Sequence, residues 1–333
     1  MPPTRPRALA LVACMAASLP AGFYAQSLWS RHLPKQSPPA RWAHAMVWDG
    51  ARERVLLFGG WTGAMDRSLG DTWEWDGAEW TLHLPQTTPG GRRGHGMAFH
   101  AARGRVVLFG GMRDGCLGDT WEWDGKTWTE ARPAAGPPAL WMPAMAYDAA
   151  RERTVLFGGW SGSAKQELDE TWEWDGAAWH KCAPTKKPHA RHYHAMACDE
   201  VRKRVVLFGG VDEGPPARYL GDTWEWDGKR WLELRPRSAP PPMARHTLAW
   251  DPDRRKVVLL GGNVDQWVLQ RKVWEWDGAA WRERADLPEP SVCPAAAYDP
   301  LRREMLLFGG FTQLEKPPAA LNRTWGYKNE KQE

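Results

Sequence analysis

The residue types able to do chemistry in this chain fall into recurring sets. His44, His95, His194 and His246 occupy one slot of a repeating pattern, and Pro143 and Pro294 fill the same slot elsewhere. Imidazole is the commonest metal ligand and the usual proton carrier near neutral pH. A metal needs close, asymmetric ligand placement, which a slot repeated once per unit does not supply, so neither a metal nor another cofactor is expected. Arg41, Arg92, Arg191 and Arg245 stand near the histidines, and Asp71, Asp119, Glu170 and Asp222 stand further on, with Lys272 and Arg323 reversing the charge in the last two copies. Arginine and carboxylate on adjacent strands read first as structural bridges. The reversal, with Leu140 and Met243 interrupting the arginines, breaks the symmetry and makes Arg41 and Arg191 candidates to orient a ligand carboxylate. His194, Asp212 and Glu213 have the types that acid–base catalysis uses.

The tryptophans form the third set. Of 24, most sit at repeated positions, and five do not: Trp42, Trp61, Trp141, Trp160 and Trp267. Each of the five offers flat apolar surface and one donor, which suits a sugar ring or a protein hot spot. Trp61, Trp160 and Phe311 directly follow glycine pairs, so they also read as plugs over a channel mouth.

These sets are carried by a repeat. Glycine pairs fall at Gly59-Gly60, Gly110-Gly111, Gly158-Gly159, Gly209-Gly210, Gly261-Gly262 and Gly309-Gly310, a period near fifty residues. Each closes an apolar run such as Val55 to Phe58, without polar alternation, as a strand covered on both faces reads. Downstream, Trp73-Glu74-Trp75-Asp76-Gly77 leads to Trp80, two strands joined at an Asp-Gly turn, and His44 to Asp49 forms another strand upstream. Four strands per unit and no helical periodicity define a propeller blade. The sixth unit ends at Tyr327 without a fourth-strand tryptophan. Trp29, with Pro34 five residues on as Pro85 follows Trp80, is expected to supply that strand and close a six-bladed, all-β propeller.

Residues 27 to 333 resemble the kelch-repeat family, whose blades carry a glycine doublet after the second strand and spaced aromatics in the third and fourth. The usual third-strand tyrosine is replaced by Trp75, Trp123, Trp174, Trp226 and Trp276, and only Tyr327 keeps it. The resemblance implies that the slot histidines are framework groups bonded to neighbouring backbone. It also implies ligand binding on the face where the loops between strands two and three, and between four and the next strand one, emerge together. The five unassigned tryptophans fall on that face. Two kelch-type enzymes set alternatives. Galactose oxidase is not matched, since only Tyr193 and Tyr219 lie on the loop face and no cysteine is placed for its crosslink. The sialic-acid mutarotase, an exported six-bladed propeller, is similar enough that His194, Asp212, Glu213 and Arg191 are weighed as its acid–base and carboxylate-binding groups. The first expectation is a noncatalytic propeller that holds a glycan or a protein. The alternative is a carbohydrate epimerase or mutarotase.

Arg5 and Arg7 precede an alanine-rich apolar stretch from Ala8 to Leu19, so residues 1–25 read as a signal peptide and 26–333 as one domain outside the cytoplasm. Leu11-Val12-Ala13-Cys14 is similar to a lipoprotein box, but too few apolar residues precede Cys14, which makes a lipid anchor the weaker reading. No later segment is long enough to span a membrane. The net charge of +4 comes from dispersed residues and gives no nucleic-acid patch. Cys116, Cys182, Cys198 and Cys293 lie in different blades without paired spacing.

Overall fold

A computed structural model describes residues 28–63, 68–266, 268–313 and 318–328. The proposed leader with Cys14, and Trp267, lie outside the described residues. The chain is all-β, with one 3-10 turn at Ala101–Arg103. Six four-stranded antiparallel sheets follow one another along the sequence. Blade one runs Ala45–Asp49, Arg54–Phe58, Thr72–Trp75 and Trp80–His83. Blade four, its counterpart three repeats on, runs Ala195–Asp199, Arg204–Phe208, Thr223–Trp226 and Trp231–Leu234. In the sixth sheet, Ala295–Asp299, Glu304–Phe308 and Thr324–Lys328 are joined by Trp29–His32, which pairs antiparallel with the last of them. First strands pack side by side from blade to blade, and that of blade six packs on that of blade one.

The second strands explain the apolar runs. Val55, Leu56, Leu57 and Phe58, like Val205 to Phe208, have no exposed surface, because blades cover both faces. Tryptophans fasten each blade to the one before. The fourth-strand indole N–H donates to a third-strand threonine of the preceding blade, as in Trp80 to Thr324, Trp128 to Thr72 and Trp231 to Thr171 at 2.9–3.0 Å. The second tryptophan of the third strand donates to the preceding blade's glutamate, as in Trp226 to Glu173 at 2.8 Å. A buried indole needs such a partner, and the indole–threonine bond supplies one at five of the six interfaces.

The glycine pairs and the slot histidines turn out to be one device. Gly209 and Gly210 have φ of +65° and +105°. A Cβ at Gly209 would lie 2.6 Å from the Met243 carbonyl and 2.8 Å from the His246 ring, and one at Gly210 would lie 2.9 Å from the His192 carbonyl. Only glycine takes this backbone shape and leaves room for the next blade's imidazole. His246 Nε2 donates to the Phe208 carbonyl at 3.1 Å, and the carbonyls of Phe308 and Phe157 lie near the His44 and His194 rings without a hydrogen bond of that geometry. Each ring also meets the preceding blade's phenylalanine edge-on at 5.6 Å. All four histidines are buried, and burial lowers their pKa, His95 to about 3 and His246 to about 4. They are neutral framework groups.

Candidate functional site: the loop face at the channel mouth

The first strands surround a central channel of about 170 Å³. One end is ringed by Ala43, Gly94, Met142, Tyr193, Arg245 and Cys293, one from each blade, all with φ between +49° and +61°. Their backbones bond around the ring: Ala43 N–H to the Cys293 carbonyl, Gly94 to Ala43, Met142 to Gly94, Arg245 to Tyr193 and Cys293 to Arg245, at 2.7–3.1 Å. Six different residue types share this conformation, and glycine alone favours it, so sequence reasoning missed the ring. The mouth is thus a floor on which loop side chains stand.

The arginine slot lies beneath that floor. Arg41 makes paired 2.7 Å bonds to Asp71 and further bonds to the Gly59 and Pro39 carbonyls. Arg191 does the same with Asp222, Gly209 and His189. Both side chains are fully buried, so the structure places Arg41 and Arg191 as blade bridges rather than as groups facing a ligand. Desolvation raises and the arginine bonds lower the Asp71 and Asp222 carboxyls, which end below the usual range. Where Leu140 replaces the arginine, Glu170 turns outward to Lys181 at 2.5 Å. Arg245 does not belong to this set: Met243 holds the slot, and Arg245 sits two residues on, in the floor ring. Its guanidinium lies 4.2 Å over the Tyr193 ring and donates to the Tyr219 hydroxyl at 3.3 Å.

Four of the five unassigned tryptophans form two groups at the mouth, half-buried rather than exposed as expected. Trp42 packs on Trp61 at 5.1 Å and on Phe311 at 5.9 Å, and Arg93 covers the Trp61 ring at 4.6 Å. Trp141 pairs in register with Trp160 on a short loop strand and packs on Tyr193 at 5.2 Å. Trp42 and Trp141 also pack on the floor residues Ala43, Tyr193 and Cys293. They are plugs in part, whereas Trp61 and Trp160 stand further out on hairpins that extend strands two and three.

The acid–base candidates separate. His194 is under the floor against Phe157 and cannot reach the face. Asp212 is tied to Arg218 at 2.7 Å and lies 3.5 Å from His189, and the Arg218 bond holds its carboxyl below the usual range. Glu213 faces His192 instead, a residue that the sequence reading passed over, as it did Glu167 on the neighbouring loop strand. His192 Nδ1 lies 3.3 Å from Glu167, and Nε2 lies 3.4 Å from Glu213. Burial lowers the His192 pKa to about 3, with Arg245 adding to it, and burial next to Glu167 raises the Glu213 carboxyl. The available signal was that His192 takes the loop position held by Trp42, Arg93 and Trp141.

A glycine doublet in all six units, with the aromatic Asp-Gly hairpin in five and the framework histidine in four, defines a kelch-type β-propeller. A family profile described as the KLHDC2/KLHL20/DRC7 Kelch-repeats domain matches residues 78–262, more than half the chain. The chain belongs to the kelch-repeat family. Among the curated proteins compared, none matches it. Kelch-repeat domains generally mediate protein–protein binding. No helix among the described residues is long and apolar enough to cross a membrane.

Proposed function

We propose that this chain is a noncatalytic, protein-binding propeller outside the cytoplasm, which takes its partner on the loop face around the channel mouth. One observation carries the reading: aromatic rings and arginines, Trp61 with Arg93 and Trp141, Trp160 and Tyr193 with Arg245, are gathered on a rigid floor. Tryptophan, tyrosine and arginine dominate protein hot spots, particularly where neighbouring side chains hold them in place. A sugar-stacking platform needs an open ring face, and Arg93 covers that of Trp61. The geometry therefore favours protein over glycan.

The test pairs the purified chain with its partner and compares Trp160→Ala and Arg245→Ala with the parent. Affinity is expected to fall about tenfold or more for each, with the unfolding midpoint nearly kept for Trp160→Ala, and a glycan array is expected to give no tryptophan-dependent signal. Array binding lost in Trp160→Ala would move the reading to a lectin. The export reading is checked by the mass of the mature chain, expected to begin at Gln26. A chain retaining Met1 in the cytoplasm overturns it.

A carbohydrate epimerase or mutarotase is the second reading, favoured by the raised Glu213 carboxyl beside His192. It requires that Glu213→Gln abolish a turnover that the parent shows.

A further inference from the structure

His192 is completely buried, yet neither ring nitrogen makes a hydrogen bond of good geometry. Each nitrogen instead looks at a carboxylate: Nδ1 at Glu167 and Nε2 at Glu213. Buried polar groups are nearly always satisfied, so an imidazole held in this way calls for an explanation. One ligand atom from each of Glu167, His192 and Glu213 lies within 4.8 Å of the other two.

The backbone fixes this arrangement. Glu167 ends the short strand Gln166–Glu167, which pairs with Trp160–Ser161. His192 exchanges backbone hydrogen bonds with Val211 at 3.1 and 2.9 Å, and the Glu213 N–H donates to Glu167 at 3.0 Å. Trp141 and Tyr193 pack against the imidazole at 5.7 and 4.5 Å and hold its plane. Glu213 alone of the three is open to solvent, with its side chain 47% exposed. It can swing inward and leaves a path for an ion. The other charges nearby are engaged: Arg218 with Asp212, and Arg245 with Tyr193 and Tyr219.

We propose that Glu167, a single ring nitrogen of His192 and the half-exposed Glu213, swung to the same side of the ring, bind one divalent transition-metal ion, Zn²⁺ being the best fit, on the loop face between blades three and four. One imidazole and two carboxylates match a borderline cation and are a poor set for Mg²⁺ or Ca²⁺, which take oxygen alone. Three protein ligands leave a position open to water or an incoming side chain. The site stands independently of the partner reading, because metal alone tests it.

The full chain, stripped with chelator, is titrated with ZnCl₂ by calorimetry and with Co²⁺ by visible absorption. One equivalent is expected to bind. His192→Ala should lose it, and Glu167→Gln and Glu213→Gln should each weaken it at least about tenfold. Near-ultraviolet circular dichroism of the tryptophans checks folding. If His192→Ala fails to fold, Glu213→Gln, at a half-exposed position, decides. A folded, stripped parent that binds no Zn²⁺, or glutamine variants that bind like the parent, would overturn the site.

Discussion

Between pH 6.5 and about 4 the protein is expected to lose stability steeply, because His44, His95, His194 and His246 fold as neutral groups. Desolvation is the first cause of each lowered pKa; Arg41 and then His95 add to it at His44, Arg92 at His95, and Arg191, His246 and His192 at His194. The unfolded chain takes up these protons near the ordinary histidine pKa of about 6.5, whereas the folded chain refuses them. Stability is therefore full above that pH and falls as pH drops, until the folded pKa is reached, about 4 for His246 and about 3 for His95. Each group costs about 1.4 kcal/mol per pH unit in that window, on the order of 5 kcal/mol for four together, against a typical total of about 5–15 kcal/mol. His83, raised by its bond to Glu74, works in the opposite direction, but its gain is complete once the pH has fallen to about 6.5, so it leaves the slope below that pH unchanged. Denaturant titrations at stepped pH measure the effect. His246→Gln, whose amide can still donate to Phe208 but does not titrate, should make the slope shallower, the rest coming from the other slot histidines and from His192 and His100, which burial also lowers. A stability that stays flat from pH 6.5 to 4.5 would contradict the framework role.

Deleting residues 28–34 is expected to unlatch the ring. Trp29, Ser30, Arg31 and His32 pair with Tyr327, Gly326, Trp325 and Thr324, and the Trp29 and Tyr327 rings stack at 4.8 Å. His32 also stands 3.0 Å from the buried Glu304 carboxyl group, and Lys328 is at 3.6 Å from it. Truncation exposes the edge of Thr324–Lys328, uncovers apolar surface and weakens the pairing of a buried carboxyl group. The expected loss is about 5 kcal/mol, a fall in unfolding midpoint of roughly 10 °C or more, with association through the open edge. Thermal scanning with size-exclusion chromatography reads both. A monomer with the parent's midpoint would show that this strand does not hold the sixth sheet.

The fold was legible because its signals are repeated and local. A glycine doublet and an Asp-Gly hairpin between tryptophans state strand ends and turns directly, and the spacing from Trp29 to Pro34 placed the N-terminal strand beside Tyr327. The site was legible only in outline. Trp42, Trp61, Trp141 and Trp160 share one loop face in the sequence pattern and in the structure, but their half-burial depends on side chains from other blades. Arg41 and Arg191 look like ligand groups in sequence and are consumed by Asp71 and Asp222 in space. Arg245 was misassigned because two residues separate the bridging slot from the floor ring, and no residue type marks that ring. Glu167, His192 and Glu213 come from three separate stretches of two blades, so only the packing of those blades reveals them as one group.

The most direct measurement of the central claim is a site-specific photocrosslinking map in cells that make the protein. Crosslinkers are placed singly at Trp61 and Trp160 on the loop face, and at Lys229 and Lys126 in the Asp-Gly turns of the opposite face. One protein partner is expected to be captured from Trp61 and Trp160 and none from Lys229 or Lys126, and that partner, once purified, should bind the parent chain more tightly than Arg245→Ala. Capture of the same partner from the Asp-Gly turns alone, or purified binding indifferent to Arg245, would contradict partner binding on the loop face.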